Sequence, residues 1–261
     1  MLRVFAVKGM ALAVAIAAVW LLPAKWEVLA VAVIVAITAA FITYAIWSPH
    51  SQFFSRTIDR LRGDQPIIAL TFDDGPDPVF TPRILDLLDA HGARATFFVL
   101  GVRADRHPEL IRRMRDRGHT VGTHTQHHHL RFHFSSPSYV RREIEEAIDV
   151  VTDILRERPT LFRPPQGLRT PFFSSAWRRM TGLSCVTWTI RGFDSLPTTA
   201  DAIATRVIKR LAPGAIVALH DGTGLFGGID REPTIAALDA ILSECKARGL
   251  RCVALGDSGV C

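Results

Sequence analysis

The chain opens with two apolar runs, residues 4–22 and 28–47, and then settles into an alternation of short apolar and amphipathic stretches. Each run reaches the roughly 20 residues that a helix needs to cross the hydrocarbon of a bilayer. Between them, Pro23-Ala24-Lys25-Trp26-Glu27 reads as a tight polar turn with an interfacial tryptophan. The pattern predicts a transmembrane helical hairpin over residues 1–49. A cleaved signal peptide is the competing reading, because Arg3 and Lys8 flank the first run, but the second run would still anchor the mature chain. A hairpin leaves both chain ends on one side. Arg3 and Lys8 at one end, with Arg56, Arg60 and Arg62 beyond the other, outweigh Lys25 in the turn. The positive-inside rule then puts the rest of this multi-pass protein on the cytoplasmic face, the extracytoplasmic face being the alternative.

After a linker over 50–65, strand-like runs fall at 67–72, 95–100, 120–124, 161–164, 184–189, 215–220 and 251–255. Helical patterns lie between them at 81–90, 108–117, 138–156, 171–180, 200–211 and 233–248, some with start signals such as Thr81-Pro82. Such alternation predicts an α/β domain over 66–261, a parallel sheet or barrel with helices outside. Polar residues gather at the carboxyl ends of these strands: Asp73 and Asp74 after the first, His124 the third, Arg163 the fourth, Asp194 the fifth, His220 the sixth. In an α/β barrel those ends converge on the face where active sites are built.

Composition adds two constraints. Hydrophobic residues make up 48% of the chain and mean hydropathy is +0.20, an excess carried by the two leading runs. The net charge of +6 and pI near 9.6 point to an anionic surface nearby. Arginines beside a membrane segment fit phospholipid, and no nucleic-acid motif is present. The four cysteines, Cys185, Cys245, Cys252 and Cys261, lack metal-type spacing and read as free thiols, with Cys245 and Cys252 able to pair.

The candidate chemistry starts at Thr71-Phe72-Asp73-Asp74-Gly75-Pro76-Asp77, where Asp-Gly-Pro ends the first strand and turns the chain. Two adjacent carboxylates there point in different directions, so one can hold a metal while its neighbour takes a proton from water; an ordinary Asp-Gly turn is the plainer reading. His124 and His128 stand four apart, and if the segment turns helically both imidazoles share one face, with His127 and His129 pointing elsewhere. Asp74, His124 and His128 make a nitrogen and oxygen donor set suited to zinc, to cobalt or to another first-row divalent ion.

TFDDGPD, ATFFVLG, GHTVGTHTQHH, FRPPQG and ALHDG occur in the order found in polysaccharide deacetylases, and the stretch 66–255 resembles the NodB-type domain of carbohydrate esterase family 4. The resemblance implies a distorted (β/α) barrel and metal-dependent removal of acetyl groups from sugars. It makes Asp73 the catalytic base, oriented by Arg163, and Asp74, His124 and His128 the metal ligands. It makes His220 the general acid, tuned by Asp194, and the backbone around Gln166 an oxyanion donor. Base and acid are then expected on either side of the reacting carbon. Departures lie in the pocket lining: Gln166 stands for an aromatic residue, Thr123 for asparagine, Ala218 for leucine, and Arg191-Gly192-Phe193-Asp194-Ser195 for Asp-x-x-Asp-Trp.

The expected activity is metal-dependent deacylation, N-deacetylation first, of a carbohydrate, with a lipid-linked aminosugar at the membrane surface as one substrate and a cell-wall or exported polysaccharide as the other. A sugar-binding module without catalysis would need neither Asp73 nor His220, and an assembly factor would need only the basic surface. Gly101 to Gly118 carries six arginines, read as a solvated helix face or a lipid contact, and 221–228 reads as a glycine-rich linker or a lid.

Overall fold

Every side chain of strand β1 (Ile67–Asp73) is buried, and its two faces lead to different cores. Ile68, Leu70 and Phe72 pack with helix residues such as Ile84, Met114 and Ile241, whereas Ile67 and Ala69 join Phe98, Leu161, Val186 and Ile216. Burial on both faces is what helices laid over a parallel sheet produce. The computed structural model describes residues 2–21, 23–63, 65–223 and 228–256, so residues 224–227 of the glycine-rich stretch lie outside the described residues, as does Cys261.

The strands that follow are β2 (Ala95–Leu100), β3 (Thr120–Thr125), β4 (Leu161–Phe162), β5 (Ser184–Cys185), β6 (Ile190–Arg191), β7 (Ile216–His220) and β8 (Arg251–Cys252). They pair in the order β5-β4-β3-β2-β1-β7-β6, with β8 beside β1, and every pair is parallel. This is the distorted, open (β/α) barrel that the sequence predicts. Of the strand expected over 184–189 only Ser184–Cys185 forms, and a further short strand follows at Ile190–Arg191, so Asp194 follows the sixth strand and His220 ends the seventh. The cause is the segment before β1. The Thr187 N–H donates to Ile58 O at 2.9 Å and the Thr189 hydroxyl to Asp59 O at 2.8 Å. Ile58 also bridges to Val186 and Arg60 to Ala215. Residues 58–61 therefore occupy the seam between the two ends of the sheet.

Seven helices flank the sheet among the described residues: α3 (Phe80–Ala90), α4 (Gly101–Arg106), α5 (Pro108–Asp116), α6 (Pro137–Leu155), α7 (Pro171–Trp177), α8 (Ala200–Ile208) and α9 (Glu232–Ala247). Helix α4, absent from the predicted set, leaves β2 without a linker, and its six residues are too few for an apolar period to show. Thr170 and Thr199 cap α7 and α8 through their side chains. Cys185, Cys245 and Cys252 are free thiols.

The leading runs form α1 (Leu2–Leu21) and α2 (Ala24–Trp47), which share a groove lined by Val7, Met10 and Val14 on one side and Ile34, Ile37 and Phe41 on the other. One stretch among the described residues, Trp26–Trp47, is long and apolar enough to cross a membrane. Its carboxyl end is held against the barrel by Arg169, whose side chain is fully buried. The Arg169 N–H donates to Ile46 O at 3.3 Å, and its guanidinium donates to Ser48 O and to Pro49 O. The Thr187 hydroxyl shares the Pro49 carbonyl at 2.8 Å.

Arg169→Leu should leave the Ser48 carbonyl without its donor and the Pro49 carbonyl with the Thr187 hydroxyl alone, at about 1–3 kcal/mol for a group left unpaired away from water. A lower Tm of the full chain in detergent, with faster proteolysis between residues 48 and 57, is the expected outcome; an unchanged Tm would show that the contact does not hold the helix.

Candidate active site and metal pocket

Alternation along the strands carries the inner row of side chains to one end of the barrel. Thr71 and Asp73 continue the row of Ile67 and Ala69, and His220 continues that of Ile216 and Ala218. Arg163 follows Leu161, and His124 follows Gly122, whose missing side chain leaves room for the Phe98 ring. Asp73 and His220 are partners in the β1–β7 register, so the two groups stand on adjacent strands. They do not face each other across the barrel.

Asp74 is the first residue past β1 and adopts φ 73°, which turns its carboxylate away from that of Asp73. Its Oδ1 lies 3.6 Å from His124 Nε2 and 3.5 Å from His128 Nε2, and all three residues are buried. The two imidazoles stack with centroids 5.0 Å apart. They do not share a helix face: His124 is in β3, and positive backbone angles at Thr125 (φ 119°) and His128 (φ 59°) double the chain back. His127 turns away to Glu143, 3.0 Å from its Oε1, and stacks on His129.

Asp74 Oδ1 has no hydrogen-bond partner, an arrangement costly for a buried polar atom unless a ligand satisfies it. His124 Nδ1 donates to Arg163 O at 2.8 Å, which directs the Nε2 lone pair at Asp74. Donors about 3.5 Å apart are what metal bonds of about 2 Å around one small divalent ion require. The donor set therefore fits such an ion. Burial pushes the His124 imidazole down to about 4, with Asp73 opposing, so it is the neutral ligand form at pH 7. Burial pulls the Asp74 carboxyl up, but His128, His124, His220 and Arg231 together overcome it and hold it below the usual range.

Asp73 accepts from Arg163 Nη1 at 2.7 Å through Oδ1. The same nitrogen bonds Thr71 Oγ1 at 2.7 Å, and Nη2 donates to Thr187 O at 2.9 Å. On the neighbouring strand, His220 Nδ1 lies 2.7 Å from Asp194 Oδ1, which leaves Nε2 for the cavity that His220 lines. Asp194 Oδ2 accepts the His220 N–H at 2.9 Å and the Thr234 hydroxyl at 3.0 Å. Burial lowers the His220 pKa, but Asp194 and then Asp74 and Asp73 more than compensate, so the imidazole holds its proton above the ordinary value of 6.5.

The site residues expected from the sequence are thus together. Asp73, Asp74, His124, His128 and His220 line one cavity of about 360 Å³ with Gln166 at its wall, while Arg163 and Asp194 stand behind it. Sequence reasoning missed three further residues. Arg231 comes from beyond the glycine-rich stretch and bonds the carbonyls of Gly222 and Asp194. His133 Nε2 lies 2.6 Å from Gln166 Oε1, whose amide nitrogen is 3.4 Å from His128 Nε2. Asp221, next to His220 in ALHDG, is buried under Gly75 and accepts from the Thr81 hydroxyl at 2.6 Å; burial pushes its carboxyl up to about 7.

A parallel α/β barrel thus carries, at its strand ends, a carboxylate and an imidazole with buried counter-charges beside a pocket where Asp74, His124 and His128 converge. The family model for polysaccharide deacetylase matches residues 60–180. The chain is 38% identical over 197 residues to a peptidoglycan-N-acetylglucosamine deacetylase of Bacillus cereus, an alignment covering 74% of this chain and 88% of that one. A solved peptidoglycan N-acetylglucosamine deacetylase superposes with TM-score 0.70 at 30% identity, over 76% of this chain and 89% of the other. An acetyl xylan esterase of family 4 from Clostridium thermocellum, solved with a cobalt ion, gives TM-score 0.63 at 34% identity over 72% and 87%. The chain belongs to the polysaccharide deacetylase family, and it is a carbohydrate deacetylase.

Asp194→Asn removes the charge that keeps His220 protonated. Because the His220 pKa is raised in the folded protein, the stabilisation from this pair is complete below about pH 6.5 and is lost as pH rises through the raised value. In the variant the His220 titration, followed by NMR of the imidazole, should move to lower pH; an unmoved midpoint would mean that Asp194 does not set it.

Proposed function

We propose that this protein hydrolyses the N-acetyl amide of an aminosugar carried on a lipid at the bilayer surface. Its helices over 1–49 would be a two-span anchor, residues 50–65 the connection, and 66–261 the catalytic domain. The observation that carries the reading is a proton acceptor and a proton donor, each with its own buried counter-charge, beside a buried pocket where one carboxylate and two imidazoles converge.

Asp74, His124 and His128 would hold a divalent cation, zinc in the first instance, which supplies Lewis acidity to water and to an acyl carbonyl. Arg163 occupies Asp73 Oδ1, so the second oxygen is left to take a proton from the attacking water. The backbone N–H of Gln166, at the left-handed turn with φ 49°, would donate to the oxyanion that then forms. His220 Nε2 delivers its proton to the departing nitrogen, and Asp194 carries the charge of the imidazolium until then. One proton enters at Asp73 and one leaves from His220, so the products are a free amine and acetate.

The lipid-linked reading is supported by the placement of Trp47, the last residue of the span, in the wall of the catalytic cavity. The charge bias of the leading segment favours a cytoplasmic catalytic domain. A cell-wall or exported polysaccharide is the second reading, favoured by the names of the Bacillus cereus and other relatives, and it needs the domain outside. A carboxyl-terminal reporter active on one side of the membrane separates the two.

The catalytic test uses the full chain in detergent with added zinc or cobalt. Asp73→Asn should lower kcat by about 10²–10⁴-fold while bound metal, measured by elemental analysis, stays near wild type. His124→Ala should lose both metal and activity. Failure of the wild-type protein to release acetate or formate from any aminosugar would overturn the reading.

A further inference from the structure

One charged side chain of the cavity wall, that of Arg191, takes no part in the chemistry above. It is partly buried and makes no hydrogen bond or ion pair with the described residues. Its guanidinium lies instead 5.5 Å from the centroid of Trp188 and 5.1 Å from that of Phe193. Stacking on rings uses the flat face of a guanidinium and leaves its in-plane N–H donors free. The other arginine of this cavity, Arg231, is spent on Asp194 and Gly222. A fixed fork of unused donors beside the reacting groups matches phosphate geometry.

The rim of the same cavity is apolar. Phe134, Trp47, Leu196 and Leu130 are 78%, 64%, 62% and 54% exposed there, an apolar edge of the kind that marks a binding surface. Trp47 belongs to α2, so the rim continues the surface of the helix that is able to cross a bilayer. A cavity mouth joined to that surface sits at the membrane boundary, where an apolar chain is already at hand and a phosphate lies at headgroup depth.

We propose that the cavity takes an acylated aminosugar joined through phosphate to an apolar chain, with Arg191 as the residue that reads the phosphate. The acyl group lies on the floor by Asp73 and His220, the phosphate on Arg191, and the chain across Phe134, Leu196 and Leu130 toward Trp47. This rests on the deacylase reading of the site. A neutral oligosaccharide would give Arg191 no charged partner and would give Leu196 and Leu130 no apolar chain to cover them.

The test uses the full chain in nanodiscs with zinc and three probes sharing one acetylated sugar: chitotetraose, N-acetylglucosamine 1-phosphate, and farnesyl N-acetylglucosaminyl phosphate. The farnesyl probe should give the highest kcat/KM and chitotetraose the lowest. A charge-assisted hydrogen bond contributes about 1.5–3 kcal/mol, so Arg191→Ala should cut the preference for the phosphate probes over chitotetraose by about 10–100-fold, mostly through KM. Arg191→Lys should restore a large part of it. Phe134→Ser with Leu196→Ser should reduce the farnesyl advantage over the 1-phosphate. Chitotetraose turned over as well as the farnesyl probe, or a preference that Arg191→Ala does not move, would overturn the proposal. Should no probe be deacylated, the deacylase reading fails by itself. Calorimetric binding of the farnesyl probe to Asp73→Asn protein then still decides the role of Arg191: a tenfold weaker Kd after Arg191→Ala supports it, and an equal Kd sinks it.

Discussion

The geometry of the site depends on one buried guanidinium. Arg163 has no exposed surface, and it holds β1 through Thr71 and Asp73 and the stretch between β5 and β6 through Thr187. Its own carbonyl orients His124 on β3, and its guanidinium lies 4.2 Å from the Phe98 centroid on β2. Burial lowers its pKa and Asp73 opposes the shift, but an arginine starts so far above neutrality that it remains a cation. Here the buried cation has a carboxylate 2.7 Å away, and that buried carboxylate has the cation. Asp73 is thus held in place before any substrate arrives, and the Arg163 carbonyl also sets the tautomer of the first histidine of the ligand pocket.

A second cation–carboxylate pair stands on the neighbouring strands, and the difference between the two would let the proposed acid and base work side by side. Arginine keeps its proton under all ordinary conditions, so its partner Asp73 can only accept one from elsewhere. Histidine can release its proton, so Asp194 makes His220 a donor that remains charged past the ordinary imidazole pKa. The register that pairs Asp73 with His220 puts both above the same patch of cavity floor. The opposite proton-transfer roles proposed for them would then follow from the identity of each counter-charge.

Much of this is legible in the sequence wherever the signal is local. The strand period marks Ile67, Ala69, Thr71 and Asp73 as one row, and the alternation of strands and helices marks the barrel. The convergence of polar residues at strand ends follows from that topology. What the sequence hides depends on contacts between distant segments. The four-residue spacing of His124 and His128 suggests a helix, whereas residues of positive φ bring the rings together. The apolar run 184–189 reads as one strand because the segment that pairs with its second half, at Ile58 and Asp59, lies more than a hundred residues earlier. Arg231 and His133 reach the site from stretches with no motif of their own. Asp221 stands inside a motif, but its part, burial beneath the turn of β1, appears only in three dimensions.

Backbone conformation shows how firmly the pocket is built. Six non-glycine residues among those described have positive φ, and five of them, Asp74, Thr125, His128, Gln166 and Phe193, lie in or beside the site. Each residue of this kind costs about 1–2 kcal/mol relative to ordinary backbone. Such conformations persist where surrounding packing leaves no alternative. That packing is visible beneath Asp74: a side chain at Gly75 would fall 2.1 Å from Asp221 Oδ2, and one at Gly222 would fall 2.0 Å from Asp74 O. The turn bearing Asp74 is therefore wedged between the chain that follows His220 and the carboxylate of Asp221. The three donors are set by the protein alone, and a cation entering between them would find its ligands already arranged.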